Sequence, residues 1–63
     1  WGFTASESRL AETLCRGDDL ARAAIRLGIS RNTARNQLQA MFGKTGTRRQ
    51  AELMTRIMGV LEI

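Results

Sequence analysis

The sequence predicts an all-α fold of four helices, and three observations predict it. Apolar residues recur at three- and four-residue spacing, with no sustained alternation that would mark a strand. Proline is absent, and glycines punctuate the chain at Gly17, Gly28, Gly43, Gly46 and Gly59. A Thr, Asp or Ser stands ahead of each periodic run, where a helix start needs a side-chain acceptor. The expected helices cover about residues 5–16, 20–27, 31–42 and 48–61.

The first helix opens on a capping box, with Thr4 and Glu7 three residues apart so that each side chain reaches the other's amide. Phe3, just ahead of the cap, is placed to fold onto the helix. Leu10 and Leu14 share one face with Ala11 beside them, and Gly17 is free to take the left-handed conformation that ends a helix. Asp19 caps the second helix, where its charge also suits the helix start. Ala23, Ala24 and Leu27 form its inner face, with Leu20 one turn back. Gly28 ends it, Ile29 turns inward, and Ser30 caps the third helix. The buried side of that helix is Ala34, Leu38 and Met41 or Phe42. Gly46 and Thr47 form the last break, and Thr47 with Gln50 fits a second capping box. The fourth helix then runs from Arg48 to about Leu61, with Gly59 weakening its end.

The length of 63 residues permits a single domain, residues 1–63, with a small core and modest stability. There is little room for an enclosed catalytic pocket as well. Histidine is absent, so Ser-His-Asp and Cys-His chemistry are excluded, and no other acid–base pair or nucleophile constellation is visible. The chain does not read as an enzyme. One cysteine, Cys15, offers no internal disulfide and no soft-ligand cluster for a metal, and no cofactor is expected. No apolar run approaches the roughly 20 residues of a membrane span. The start at Trp1 without a methionine predicts a piece of a longer protein.

Charge points to the partner. The formal net charge is +4 and the sequence pI about 11.1, a balance that favours polyanions. Seven of the ten basic residues lie between Leu20 and Ala51, a stretch with no carboxylate: Arg22, Arg26, Arg31, Arg35, Lys44, Arg48 and Arg49. Within it, Ala24, Gly28 and the run from Ser30 to Leu38 read as two helices joined by a tight turn. A helix-turn-helix needs a small residue where its helices cross and freedom at the turn. Ala24 and Gly28 supply these, while Ile29 and Leu38 plug the pair onto the core. With Leu38 inward, Arg31, Asn32, Arg35, Asn36 and Gln39 face out.

The run Gly28-Ile-Ser-Arg-Asn-Thr-Ala-Arg-Asn-Gln-Leu-Gln-Ala-Met-Phe-Gly-Lys-Thr-Gly-Thr-Arg-Arg-Gln-Ala-Glu-Leu53 resembles the LuxR-type (GerE-like) DNA-binding domain. So does Phe3-Thr-Ala-Ser-Glu7, which matches the family's Leu-Thr-x-x-Glu opening. The likeness covers nearly the whole chain, and its most specific parts are Ser30 with Thr33 and Lys44-Thr-Gly46. It departs from the family at Ala5, where proline is common, at Ala34 for valine, and at Gln37 for histidine. Asn36 and Gln39 also differ from several members at base-facing positions, so the family supplies no target sequence.

The resemblance implies a four-helix helix-turn-helix domain, the C-terminal output module of a bacterial transcription regulator whose sensor or receiver domain lies upstream. Its expected partner is double-stranded DNA in the cytoplasm, at the nucleoid, with no membrane partner. It assigns base reading to Arg35, Asn36 and Gln39, and side-chain chemistry agrees: Arg grips guanine at O6 and N7, and Asn or Gln grips adenine at N6 and N7. Thr33 fits a phosphate contact through its hydroxyl and the local amides. Lys44 resembles the family's phosphate-binding lysine, and Arg31, Arg48 and Arg49 are further backbone neutralisers.

The fourth helix carries two apolar rows, Leu53-Ile57-Leu61 and Met54-Met58 with Ile57 between. One row must cover the core; a second, exposed row would meet a partner helix, and a single broad core face is the other reading. Family members dimerise through this helix, which implies a homodimer contact at Met54, Ile57, Met58 and Leu61. Two competing readings are a sigma-factor-like promoter-reading domain, against which Lys44-Thr-Gly46 and the apolar fourth helix argue, and a helical protein-interaction module whose basic face meets an acidic partner.

Overall fold

Four local start signals and two local stop signals set most of the chain's course. In the computed structural model, which describes residues 2–61 (60 and 61 by their backbone alone), these signals resolve into α1 (Ala5–Cys15), α2 (Leu20–Leu27), α3 (Arg31–Thr45) and α4 (Gln50–Leu61). The described residues contain no strand, so the fold is all-α. No helix among them is long and apolar enough to cross a membrane.

The caps hold as local chemistry requires. The Thr4 amide donates to Glu7 Oε1 at 2.8 Å and the Glu7 amide donates to Thr4 Oγ1 at 3.1 Å, closing the capping box of α1. Asp19 Oδ1 accepts from the Arg22 amide at 2.8 Å, and Ser30 Oγ accepts from the Thr33 amide at 3.0 Å. Gly28 ends α2 at φ 68°. That left-handed turn lets the Gly28 and Ile29 amides reach back to the Ile25 and Ala24 carbonyls at 3.2 and 3.0 Å. The result is the paired closure of a Schellman motif.

Two expected boundaries move. α3 does not stop near Phe42 but continues to Thr45, with Gly46 as its left-handed end at φ 70°. Gly43 keeps helical geometry, because a helix bears one interior glycine at a modest cost. α4 begins at Gln50, not Arg48, and the expected capping box of Thr47 with Gln50 does not form. The Thr47 hydroxyl instead pairs with the Thr45 hydroxyl at 2.8 Å, and Thr45 also donates to the Met41 carbonyl at 2.8 Å. Both threonines are buried. Glu52 takes over the start of α4, its Oε1 accepting from the Arg48 and Arg49 amides at 3.1 and 3.2 Å. A glutamate at the third helical position reaching back in this way is half a capping box, and its charge favours the helix start. A smaller shift closes α1 at Cys15, with Arg16 as its cap.

Leu10, Ala11 and Leu14 of α1, Ala23 of α2, Leu38 and Met41 of α3, and Leu53 and Ile57 of α4 form the buried core. Phe3, Cys15, Leu20, Leu27, Phe42 and Met54 pack against it from the edge. α1 and α3 each contact all the other helices, while α2 and α4 do not meet among the described residues. α3 is therefore held on three sides and presents its remaining side outward. Gly43 lies on that outward side, and a Cβ built there would meet nothing within 4 Å. Gly43→Ala should stabilise the domain by up to about 1 kcal/mol through helix propensity. Urea titration checks this; a lowered midpoint would show that the backbone at Gly43 is not helix-compatible.

Candidate nucleic-acid interface

α3 is positioned by small residues. Ala23 and Ala24 of α2 and Ala34 of α3 are buried, which lets the two backbones approach closely. Leu38 is buried as expected, whereas Ile29 in the turn is only half-buried. Its turn geometry is set instead by Gly28 and the Ser30 cap.

The outer side of α3 carries Asn32, Arg35, Asn36 and Gln39, all exposed. None of these four side chains makes a hydrogen bond or ion pair among the described residues. Arg31 and Thr33 are exposed at the start of the helix, and Arg48 and Arg49 are exposed ahead of α4. Thr33 is more committed than its sequence position indicates. Its amide is taken by Ser30, and its hydroxyl oxygen accepts from the Ser30 hydroxyl at 2.9 Å. The Thr33 hydroxyl hydrogen stays available to donate. Gln37 is half-buried, and its Oε1 is enclosed without a hydrogen-bond partner.

Lys44 has internal partners that its place in the sequence does not reveal. Its ammonium donates to Glu7 Oε1 at 2.5 Å and to the Gly2 carbonyl at 3.2 Å. The lysine side chain keeps 34% of its exposure and the glutamate side chain 6%. It is thus tied to the start of α1 within the chain. The hydrogen bond from Lys44, then that from the Thr4 amide, holds the Glu7 carboxyl below its ordinary value against the opposing effect of burial. This contact was missed because the two residues lie 37 positions apart. The available signal was a lone lysine near the end of α3 and a capping glutamate with charge to spare.

The other carboxylates are also engaged. Glu12 pairs with Arg16 at 2.7 Å and Asp18 with Arg26 at 2.6 Å. Asp19 and Glu52 cap helices. Every acid among the described residues therefore has an internal partner. The guanidinium groups of Arg22, Arg31, Arg35, Arg48 and Arg49 form no ion pair there, so the basic stretch divides into charge-paired members, Arg26 and Lys44, and charge-unpaired ones.

The α4 surface is narrower than two apolar rows imply. Ile57 lies in the core at 8% exposure and Met54 is half-buried, its sulfur accepting from the Cys15 thiol at 3.6 Å. Ile57 faces inward, and both rows contribute to one broad core face. Met58, at 44% exposure, is the member left on the surface. The Leu61 side chain lies outside the described residues. Cys15 is half-buried, and desolvation pushes its thiol up, which disfavours the reactive thiolate. No group of His, Cys, Asp and Glu among the described residues is arranged to hold a metal.

Comparisons with protein-family models, with curated proteins and with solved structures find no match to this chain.

Proposed function

We propose that this domain binds double-stranded DNA with sequence specificity, as the reading module of a bacterial cytoplasmic transcription regulator. α2 and α3 act as a helix-turn-helix, and α3 enters the major groove. The observation that carries this reading is the outer side of α3: polar, acid-free, unpartnered, and bordered by free arginines while the described acids are engaged elsewhere. The resemblance to LuxR-type domains supports it. Arg35, Asn36 and Gln39 read base edges, and Arg31, Arg48, Arg49 and the Thr33 hydroxyl hold phosphates. Lys44 contributes by fixing α3 against α1, and any phosphate it meets shares it with Glu7. A homodimer contact on α4 centres on Met58, with Met54 at its edge.

The test is affinity for duplex DNA as a function of salt. Three arginine–phosphate contacts give a log–log slope of about −2.7, at roughly 0.9 per phosphate. Arg48→Ala with Arg49→Ala should make the slope shallower by about 1.8 and weaken cognate and random duplexes alike. Affinity that ignores salt would exclude the proposal.

One observation favours a second reading, a protein-interaction module with a basic face. Ile25 on α2 is 81% exposed, and Arg22, three residues away, is exposed with its guanidinium in no ion pair among the described residues. An acidic partner helix would cover such a pair. Competition separates the readings: duplex DNA at physiological salt should displace nothing from an Ile25-centred complex, and that module would show no DNA sequence preference.

A further inference from the structure

The outer side of α3 is more specific than a polar surface. Successive residues of an α-helix turn by about 100°. On that count Asn32, Asn36 and Gln39 fall within an arc of about 60°, opposite the buried Ala34, Leu38, Met41 and Thr45. Arg35 sits at the margin of the arc, about 40° beyond Gln39. Three carboxamides thus occupy the pole of the helix and the guanidinium its flank. Asn32 lies nearer the pole than Arg35, although sequence reading gave it no role in base recognition.

A carboxamide offers one donor and one acceptor side by side. That matches adenine, whose major-groove edge presents N6–H and N7. Guanine presents two acceptors there and can satisfy a carboxamide only by half, while it suits the two donors of an arginine. Cytosine presents a lone N4 donor, best met by a carboxylate, and α3 contains no Asp or Glu. Ala40 and Gly43 continue the outward side without a hydrogen-bonding side chain, and nothing in the chain itself fills the space at Gly43. The readable segment therefore ends at Gln39. From Asn32 to Gln39 the axis rises about 10 Å, the length of roughly three base steps.

We propose that α3 recognises a half-site of about three to four base pairs, adenine-centred and flanked by a guanine, with Asn32 as a third adenine reader beside Asn36 and Gln39 and with Arg35 on the guanine. This rests on the DNA-binding reading above.

The experiment is selection of bound sequences from a random duplex pool, followed by replacement of each selected adenine with 7-deazaadenine, which removes N7 and leaves pairing intact. The expected result is an adenine-rich core with a flanking guanine, and a loss of roughly five- to 150-fold in affinity at each contacted adenine. Asn32→Ala, an exposed change that leaves the core untouched, should abolish the adenine preference at one position while affinity for random duplex changes less than twofold. Enriched sequences that require cytosine contacts, or 7-deazaadenine and Asn32→Ala without effect on a duplex that is still bound, would overturn the inference and leave DNA binding standing. If no duplex is retained from the pool at low salt, the DNA-binding reading falls with it.

Discussion

Lys44→Met lowers the stability of the domain by about 2–3 kcal/mol at neutral pH, out of a total of roughly 3–9 kcal/mol for a chain of this length. The substitution keeps an unbranched stem of similar length and removes the charge. Glu7 is then left enclosed and ionised without its charged partner, though the Thr4 amide still donates to it. Breaking a fully buried pair costs about 3–5 kcal/mol; the figure is reduced here because the lysine keeps a third of its side-chain exposure. The pH dependence identifies the cause. In the parent chain the Glu7 carboxyl titrates below its ordinary value of 4.5, so its contribution is complete above that value and is lost as pH falls through the lowered one. In Lys44→Met the strongest cause of the lowering is gone. Protonation then relieves a burden, and the gap between parent and variant should narrow as pH falls from about 5 toward 3. Adding Glu7→Gln to Lys44→Met should recover part of the loss at pH 7, since a carboxamide still accepts the Thr4 amide. Urea midpoints at pH 7 and pH 3 decide the matter: a gap that is constant across pH would mean that Lys44 acts by packing alone.

That pair also marks where local reasoning stops. The caps at Thr4, Asp19 and Ser30 and the turn at Gly28 were readable because each involves groups within a few residues, and the backbone has few other ways to satisfy a helix end. The end of α3 was not. Gly43 and Gly46 both look like terminators, and the choice between them depends on partners remote in sequence or hidden in the turn. Helical geometry through Thr45 carries Lys44 to Glu7 and places the Thr45 hydroxyl against Thr47, whose own hydroxyl is thereby removed from capping α4. Whether α4 carries one broad core face or a second, exposed row was equally undecidable from spacing, since Leu53, Met54 and Ile57 fit both arrangements. Exposure of the α3 readers was legible for the opposite reason: once Ala34, Leu38 and Met41 are inward, helical periodicity puts Asn32, Asn36 and Gln39 outward and Arg35 on the flank. What periodicity could not show is that Lys44 and Arg26 are already paired.

Met41→Ala should cost about 2–5 kcal/mol, the range for truncating a buried methionine. Met41 is fully enclosed on α3, among the core side chains that join this helix to α1 and α4. A 63-residue core has few other layers to collapse into the space, so the upper half of the range is expected. Thermal melting should show a fall of roughly 16–32 °C for a loss of about 4 kcal/mol. Against DNA the variant should behave differently from a reader substitution. Its outer α3 side is intact, so duplex at high excess should restore the folded state and raise the melting temperature by mass action. Its apparent affinity should fall in proportion to the folded fraction, with cognate and random duplexes affected equally. Arg35→Ala should do the reverse, leaving the melting temperature within a degree or two while cognate binding weakens more than random binding. A Met41→Ala variant that remains folded by circular dichroism yet loses the cognate preference would show that the core sets the angle of α3 in the groove, and not merely the population of the folded domain.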